Sequence, residues 1–251
     1  MIHSTTQSIH DAIRKIQRRR LASQPPIWLS ILGEDGHLKI IDCKQQTPEW
    51  FACRAGIPTA SEFDSLVTPL WKIRTGDGVN TYLARKLAER WLGHPIITFS
   101  GNAQTDQGNI LEQEVIPMFE LLWDCEIQRP GFITTDEGSA GCSPDGWMRD
   151  GVGLECKAPL PSTHCAYLMA NELPKDYAAQ VHGSMYVTGA KSWKFVSYCR
   201  GFPSLVLTIE RDESAMAAID EALLTFNAKM NLAYQKLVTL NSGRDPHQRT
   251  K

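Results

Sequence analysis

The sequence predicts an α/β domain in which helices flank a central mixed β-sheet. Segments with helical spacing come first, followed by short strand-like segments, a helix pair, two further strands and a long final helix. Helices and strands in this order pack as layers around one sheet. At 251 residues, the chain is long enough to bury a core without disulfides or a structural metal.

The first half of the chain predicts mainly helices. Apolar residues there recur at the spacing of one helix face. Thr59 and Glu62 have the spacing of a capping box, which marks a helix start. Long helices are predicted over residues 8–22, 80–92 and 109–123, and short helices begin at residues 47 and 58. A β-hairpin is predicted over residues 27–41.

The second half predicts the strands of the sheet. The tripeptide "RDG" at 149–151 is a turn signal that folds the segment before it back alongside "GLECKAP". Further strands are predicted at "GFITTD", "WKFVSYC" and "LVLTIER". Helices are predicted over about 162–171, 174–187 and 213–238.

No clear linker follows residue 45, which suggests one large domain. We expect an appendage of helix and hairpin over residues 1–45, the main domain over 46–240, and a disordered tail over 241–251.

The bulk composition excludes several classes of protein. A net charge of -2 leaves no global basic surface, so any DNA binding needs local positive charge. Seven scattered cysteines without a CxxC pair argue for reduced thiols and against a zinc site. The sequence shows no membrane-spanning apolar run and no signal peptide, so a cytoplasmic protein is expected.

The stretch "SPDGWMRDGVGLECKAP" concentrates charge at a predicted sheet edge. Alternate residues of a strand share a face, so Glu155 and Lys157 lie together and the turn brings Asp145 near them. Two neighbouring carboxylates repel unless a cation lies between them, and Mg²⁺ prefers oxygen ligands. A lysine beside them can activate a water or neutralise a phosphate.

From spacing alone, the same residues also fit a solvated Glu–Lys pair on a surface hairpin. Glu112 borders the apolar face of its helix, where it is either a third metal-site acid or one half of a buried ion pair. Gln180 lies on the helix after these strands, where it could orient a lysine or a water, or be an ordinary helix glutamine.

Several motifs in colinear order resemble the lambda-exonuclease (YqaJ) family of phage recombination nucleases, within the PD-(D/E)XK superfamily. They span about residues 47 to 230 and read "PEWFACRAGIPTASEF", "QGNILEQEVIPMFE", "SPDG", "GLECKAP", "YAAQVHGSMYVTG" and "IERDE". The resemblance implies a restriction-endonuclease-like core. It also implies a catalytic set made up of Glu112, Asp145, Glu155, Lys157 and Gln180. The backbone carbonyl of Cys156 would join Asp145 and Glu155 as a metal ligand.

The resemblance further implies a binding pocket for a 5′-phosphate. Arg54 and Ser61 match its arginine and serine, and an arginine fork with a helix N-terminus suits an anion. Alternatively, Ser61 assists the helix start and Arg54 lies on the surface. Trp71 stands where relatives carry a basic residue, so Lys72 or Arg74 is expected to supply that charge.

The function that the resemblance implies is a 5′→3′ exonuclease that degrades one strand of linear double-stranded DNA from a 5′-phosphorylated end. It implies two Mg²⁺ ions per site, with Mn²⁺ able to substitute, a homotrimeric ring and a single-strand annealing partner in a bacterial host. Lys72, Arg74, Arg85 and Lys86 are candidates for lining the channel. The alternatives are an endonuclease of the same superfamily, restriction-like or a junction resolvase, and a non-catalytic DNA-binding protein.

Overall fold

The computed structural model describes residues 38–96, 115–135 and 137–247. Helical residues 115–122 are labelled α3 here, and a 3₁₀ helix covers Ala60–Ser65. The other helices are α1 (Pro48–Arg54), α2 (Asp77–Leu92), α4 (Pro161–Ala170), α5 (Lys175–Thr188) and α6 (Glu213–Leu240). The strands are β1 (Leu38–Ile41), β2 (Ile127–Gln128), β3 (Phe132–Thr135), β4 (Gly141–Cys142), β5 (Gly146–Met148), β6 (Gly153–Lys157), β7 (Ser192–Ser197) and β8 (Leu205–Glu210).

The strands form two sheets. The larger has the order β2-β5-β6-β7-β8, and the smaller has the order β1-β3-β4. Strands β6 and β7 pair in parallel, whereas the other pairs are antiparallel. Helices α4 and α5 lie between β6 and β7 in the chain and form the crossover that a parallel pair requires. The predicted mixed sheet flanked by helices is therefore confirmed.

The parallel pair is the most buried part of the sheet. Leu154, Trp193 and Phe195 have no solvent exposure. In strands covered on both faces, successive residues are buried, as residues 153–156 of β6 and 195–197 of β7 are. A charged residue on β6 is therefore exceptional and must have partners.

Gly153, at the start of β6, packs directly against Trp193, and a Cβ atom there would overlap the indole ring. Gly153→Ala should destabilise the protein by about 1–3 kcal/mol because the indole is fixed in the core. Urea denaturation measures the change. Gly78→Ala is the control, since Gly78 lies on α2 with open space around it and alanine favours a helix. Equal stability of the two variants would contradict this packing.

Helix α5 joins the large sheet to the other helices. Val181 and Met185 pack in the core cluster of Trp193, while Ala179 belongs to a second cluster with Phe63 of the 3₁₀ helix. A Cβ atom at Gly183 would press on the Phe63 ring, so glycine permits this close approach. The side chains that α5 directs toward β6 are thus held by packing on both sides of the helix.

The predicted helices at α1, α2, α4, α5 and α6 are confirmed, whereas the predicted capping box is wrong. The helix after Thr59 is 3₁₀, and the Thr59 side chain makes no capping bond to the backbone. Its hydroxyl instead donates to the Glu62 carboxylate at 3.1 Å, because that carboxylate is the centre of an ion-pair network.

Both ends of the described chain contact the domain. Strand β1, within the predicted 1–45 appendage, pairs with β3. In the predicted tail, His247 Nε2 donates to the Arg90 carbonyl at 2.8 Å, and Asp245 accepts a bond from Tyr234. The predicted helix at 8–22 and most of the hairpin at 27–41 lie outside the described residues. Among the helices of the described ranges, none is long and apolar enough to cross a membrane.

Candidate active site

The β5–β6 hairpin brings the predicted acids together. Gly151 at its turn has φ of +82°, a conformation that favours glycine, and its N–H donates to the Met148 carbonyl at 3.0 Å. At the open end, the Asp145 N–H donates to the Leu154 carbonyl at 3.1 Å. The Cys156 N–H in turn donates to Asp145 Oδ2 at 2.8 Å. Asp145 therefore lies against the strand that carries Glu155.

Glu155 and Lys157 share a face of β6, as predicted, and Lys157 Nζ lies 2.5 Å from Glu155 Oε1. Glu155 is only 2% exposed. Gln180 of α5 donates from Nε2 to the same oxygen at 2.6 Å. We expected Gln180 to hold the lysine; the structure places its bond on Glu155, so it acts on Lys157 through the carboxylate. The ring of Tyr177, one turn earlier on α5, is centred 5.6 Å from Lys157 Nζ.

The surroundings of Asp145 disfavour its charged form. Burial raises the pKa of the Asp145 carboxyl, against the opposing effects of Lys157, the Cys156 N–H and Arg129. A partly buried carboxylate of this kind is stabilised when a cation approaches. The site therefore favours an added positive charge beside Asp145.

Asp145, Glu155 and the Cys156 carbonyl offer oxygen donors of the type that Mg²⁺ prefers. Within the described ranges, no group of three or more His, Cys, Asp or Glu side chains could hold a metal ion. Glu112, the predicted third acid, lies outside those ranges. The two acids and the raised pKa of Asp145 fit a divalent cation that completes its shell with carbonyl and water oxygens.

Arg54, at the end of α1, lies among three side-chain hydroxyls. Its guanidinium donates to the hydroxyls of Ser143 at 2.9 Å, Ser61 at 3.3 Å and Thr59 at 3.4 Å. It also lies 4.1 Å from the centre of the Trp50 ring. Within the described part of the chain, each hydrogen-bond partner of Arg54 is a neutral hydroxyl, so the half-buried guanidinium has no hydrogen-bonded carboxylate among those residues. The alternative of a simple surface arginine does not describe this environment.

Ser143 connects the arginine to the acids, and sequence reasoning gave it no role. Its hydroxyl accepts bonds from Arg54 Nη1 and Trp50 Nε1, both at 2.9 Å. Gln45 braces the same segment by donating to the Pro144 carbonyl at 2.8 Å. Since Asp145 follows two residues after Ser143, the arginine and the acid pair are held in one unit. The motif "SPDG" contained this signal, but a serine's partner cannot be read from spacing.

A cavity of about 210 Å³ opens beside Arg54. The predicted channel residues Arg85 and Lys86 line it together with Glu62 and Glu89. Lys86 bonds to Glu62 at 2.9 Å and to Glu89 at 3.1 Å, and it is buried. Lys86 is therefore a component of an internal ion-pair network rather than an open channel surface.

The loop at 68–74 does not bring Trp71 into this cavity. Trp71 Nε1 donates to Asp212 Oδ2 at 3.2 Å, and its ring packs edge-on against His182 at 5.0 Å. Lys72 is exposed, and Arg74 Nε donates to the Val67 carbonyl at 3.3 Å. Neither cation lines the Arg54 cavity, so this structure does not bring Lys72 and Arg74 together with Arg54 and Ser61.

Comparison with known families now identifies the chain. Residues 49–191 match the model of the YqaJ-like viral recombinase domain, which is more than half of the sequence. The chain belongs to this YqaJ-like family. The matched region includes Arg54, Ser61, Asp145, Glu155 and Lys157. No curated protein matches the chain.

Solved structures support the same placement. The alkaline exonuclease LHK-Exo from Laribacter hongkongensis is 27% identical, with a TM-score of 0.69, and the match covers 78% of this chain and 99% of that one. A second structure of LHK-Exo, in complex with dAMP, matches equally. A phage-related exonuclease from Haemophilus somnus 129PT, 13% identical with a TM-score of 0.55, shares the fold over 72% of this chain and 96% of its own. This YqaJ-like chain therefore has a PD-(D/E)XK fold and is a member of a nuclease family.

Proposed function

We propose that this YqaJ-like protein is a Mg²⁺-dependent 5′→3′ exonuclease that degrades one strand of linear double-stranded DNA from a 5′-phosphorylated end. The observation that carries the proposal is the single unit formed by Arg54, Ser143 and the Asp145 segment. That unit links a half-buried arginine, bonded only to hydroxyls among the described residues, to the Asp145–Glu155–Lys157 cluster. An end-binding pocket fixed to a cleavage site is what an exonuclease requires.

Each residue of the cluster would have a separate task. Asp145, Glu155 and the Cys156 carbonyl would hold two divalent ions, with Glu112 as a further acid. Bound ions would supply Lewis-acid stabilisation of the phosphate charge and a water of lowered pKa. Lys157 would orient that water and neutralise charge in the transition state. Gln180 fixes the orientation of Glu155 and thereby the position of the lysine.

Arg54 and Ser61 would bind the terminal 5′-phosphate and so set which bond lies at the acids. A guanidinium binds phosphate by two parallel hydrogen bonds, which fixes position as well as charge. LHK-Exo has been solved with dAMP bound, and a mononucleotide is the product we propose for this chain. The loop cations Lys72 and Arg74 would then contact the duplex away from its end.

The proposed partners are double-stranded DNA with a free end, two further copies of the chain in a trimeric ring, and a single-strand annealing protein. A ring agrees with the net charge of -2, because positive potential is needed only along the channel. The trimer and the annealing protein are proposed from family membership alone.

The deciding experiment compares a linear duplex carrying 5′-phosphates with a covalently closed circle, each with Mg²⁺ and with EDTA. We expect the linear duplex to release mononucleotides from its 5′-phosphorylated ends and to leave single strands, only with Mg²⁺, and we expect the circle to remain intact because it has no end. Cutting of the circle at a similar rate would favour an endonuclease instead. Binding of the linear duplex without any cleavage would favour a non-catalytic protein.

A further inference from the structure

Glu62 is the centre of an ion-pair network beside the Arg54 cavity. Its carboxylate contacts Arg85 Nη2 at 2.5 Å and Lys86 Nζ at 2.9 Å. The hydroxyl of Tyr82 donates to it at 3.4 Å. Burial acts to raise the pKa of Glu62, but Lys86 and Arg85 outweigh it, so the pKa is lowered and Glu62 stays charged. The network thus holds Arg85 in one position at the cavity.

The two cations of this network have different surroundings. Lys86 has a side chain only 5% exposed and is shared between Glu62 and Glu89. Glu89 also accepts a bond from the Gly56 N–H at 3.1 Å, which ties the network to the chain after α1. The Arg85 side chain is 31% exposed and borders the cavity. Lys86 therefore neutralises the carboxylates of Glu62 and Glu89, whereas Arg85 is accessible to a ligand.

Among the described residues that line the cavity, cations outnumber carboxylates. The described residues that line it include Arg54, Arg85 and Lys86 against Glu62 and Glu89. The hydrogen bond from Arg85 to Glu62 uses one guanidinium nitrogen. A guanidinium carries five N–H donors, so Arg85 can bind a second anion without releasing Glu62. An ion-pair network with a structural role alone would not require the partly exposed Arg85 to line the cavity.

We propose that Arg85 is a second phosphate-binding arginine of the end pocket, held in place by Glu62, and that it determines selectivity for a 5′-phosphorylated over a 5′-hydroxyl end. The inference rests on the proposed function. It adds to the phosphate pocket a cation that lies outside the matched motifs and outside the loop at 68–74. A terminal phosphate monoester carries up to two negative charges near neutral pH and so pairs well with two arginines. A hydroxyl end offers Arg85 no charge to bind.

The test measures kcat/KM for two duplexes that differ only in a 5′-phosphate or a 5′-hydroxyl. Arg85→Ala should lower the value for the phosphorylated duplex by at least about tenfold, the usual effect of losing a hydrogen bond to a charged group. The value for the hydroxyl duplex should not change. Arg85→Gln retains a donor for Glu62 while removing the charge, so it should show the same loss in a protein that remains folded by circular dichroism.

Arg90→Ala is the matched control, since Arg90 lies on the same helix, is exposed and bonds to Asn231 outside the cavity. It should leave both values unchanged. An equal fall on both duplexes in the Arg85 variants would show a structural role and overturn the inference, as would no change on either.

Binding of the same two duplexes without metal gives a readout that does not depend on turnover. Wild type should prefer the phosphorylated duplex, and the Arg85 variants should lose that preference. A preference retained by the Arg85 variants would overturn the inference. A wild-type protein that binds with this preference but degrades nothing would overturn the proposed exonuclease function and leave the role of Arg85 standing.

Discussion

Lys157→Ala should abolish turnover while leaving duplex binding intact. The lysine lies 2.5 Å from Glu155, and its charge also acts to lower the pKa of the Asp145 carboxyl. A group that positions and activates the attacking water typically contributes about 10²–10⁴-fold to the rate. DNA binding depends on many phosphate contacts, so one lysine has little effect on it. Single-turnover degradation of a labelled duplex and fluorescence anisotropy measure the two properties separately.

Lys229→Ala is the control for this change, because Lys229 is an exposed residue of α6 and has no place in the proposed site. It should degrade the duplex at the wild-type rate. Persistent activity of Lys157→Ala would show that the catalytic lysine has been assigned wrongly. Loss of duplex binding in that variant would show that the lysine holds the substrate.

Asp145→Asn should remove metal-dependent cleavage without unfolding the protein. An asparagine oxygen can still accept the bond from the Cys156 N–H, so residue 145 stays attached to strand β6. The negative charge that attracts the cation is lost, and the neutral amide does not carry the cost of burying a charge. We expect Mg²⁺ to raise the melting temperature of wild type and not that of the variant. Binding at a hundred times Kd stabilises a native state by about 2.7 kcal/mol.

Asp150→Asn provides the matched control for the metal experiment. Asp150 lies at the turn of the same hairpin, is exposed and accepts a bond from the Val152 N–H at 3.3 Å. Its variant should keep both cleavage and stabilisation by Mg²⁺. Equal stabilisation of Asp145→Asn and wild type by Mg²⁺ would place the cation elsewhere.

The buried Glu155 carboxylate is important for stability as well as for the proposed chemistry. It is a carboxylate on a strand whose neighbours are fully buried, and it is kept there by Lys157 and Gln180. Breaking a buried pair by removing one partner is costly, typically about 3–5 kcal/mol. Under the proposed function, stability and catalysis would depend on the same three side chains, so stability measurements must accompany every activity measurement at this site.

The sequence by itself determined the mixed sheet, the order of its helices and the pairing of Glu155 with Lys157. These follow from local rules, because side chains alternate along a strand and "RDG" turns the chain at a fixed point. The motif order also placed the chain in its family, since the resemblance depends on residues and spacing alone.

Only the tertiary structure decided which side chains meet across the fold. It placed Gln180 on Glu155 instead of Lys157, turned Thr59 from a cap into a donor to Glu62, and joined Arg54 to Ser143. The bonds of Gln180 and Arg54 link residues far apart in the chain, and Thr59 loses its capping role because Glu62 is held by Arg85 and Lys86, so local periodicity carries no information about these partners. The same is true of Trp71, whose indole bonds to Asp212 and which is not among the described residues that line the Arg54 cavity. Sequence patterns fix what each element is, whereas the partners of a polar side chain depend on how the elements pack.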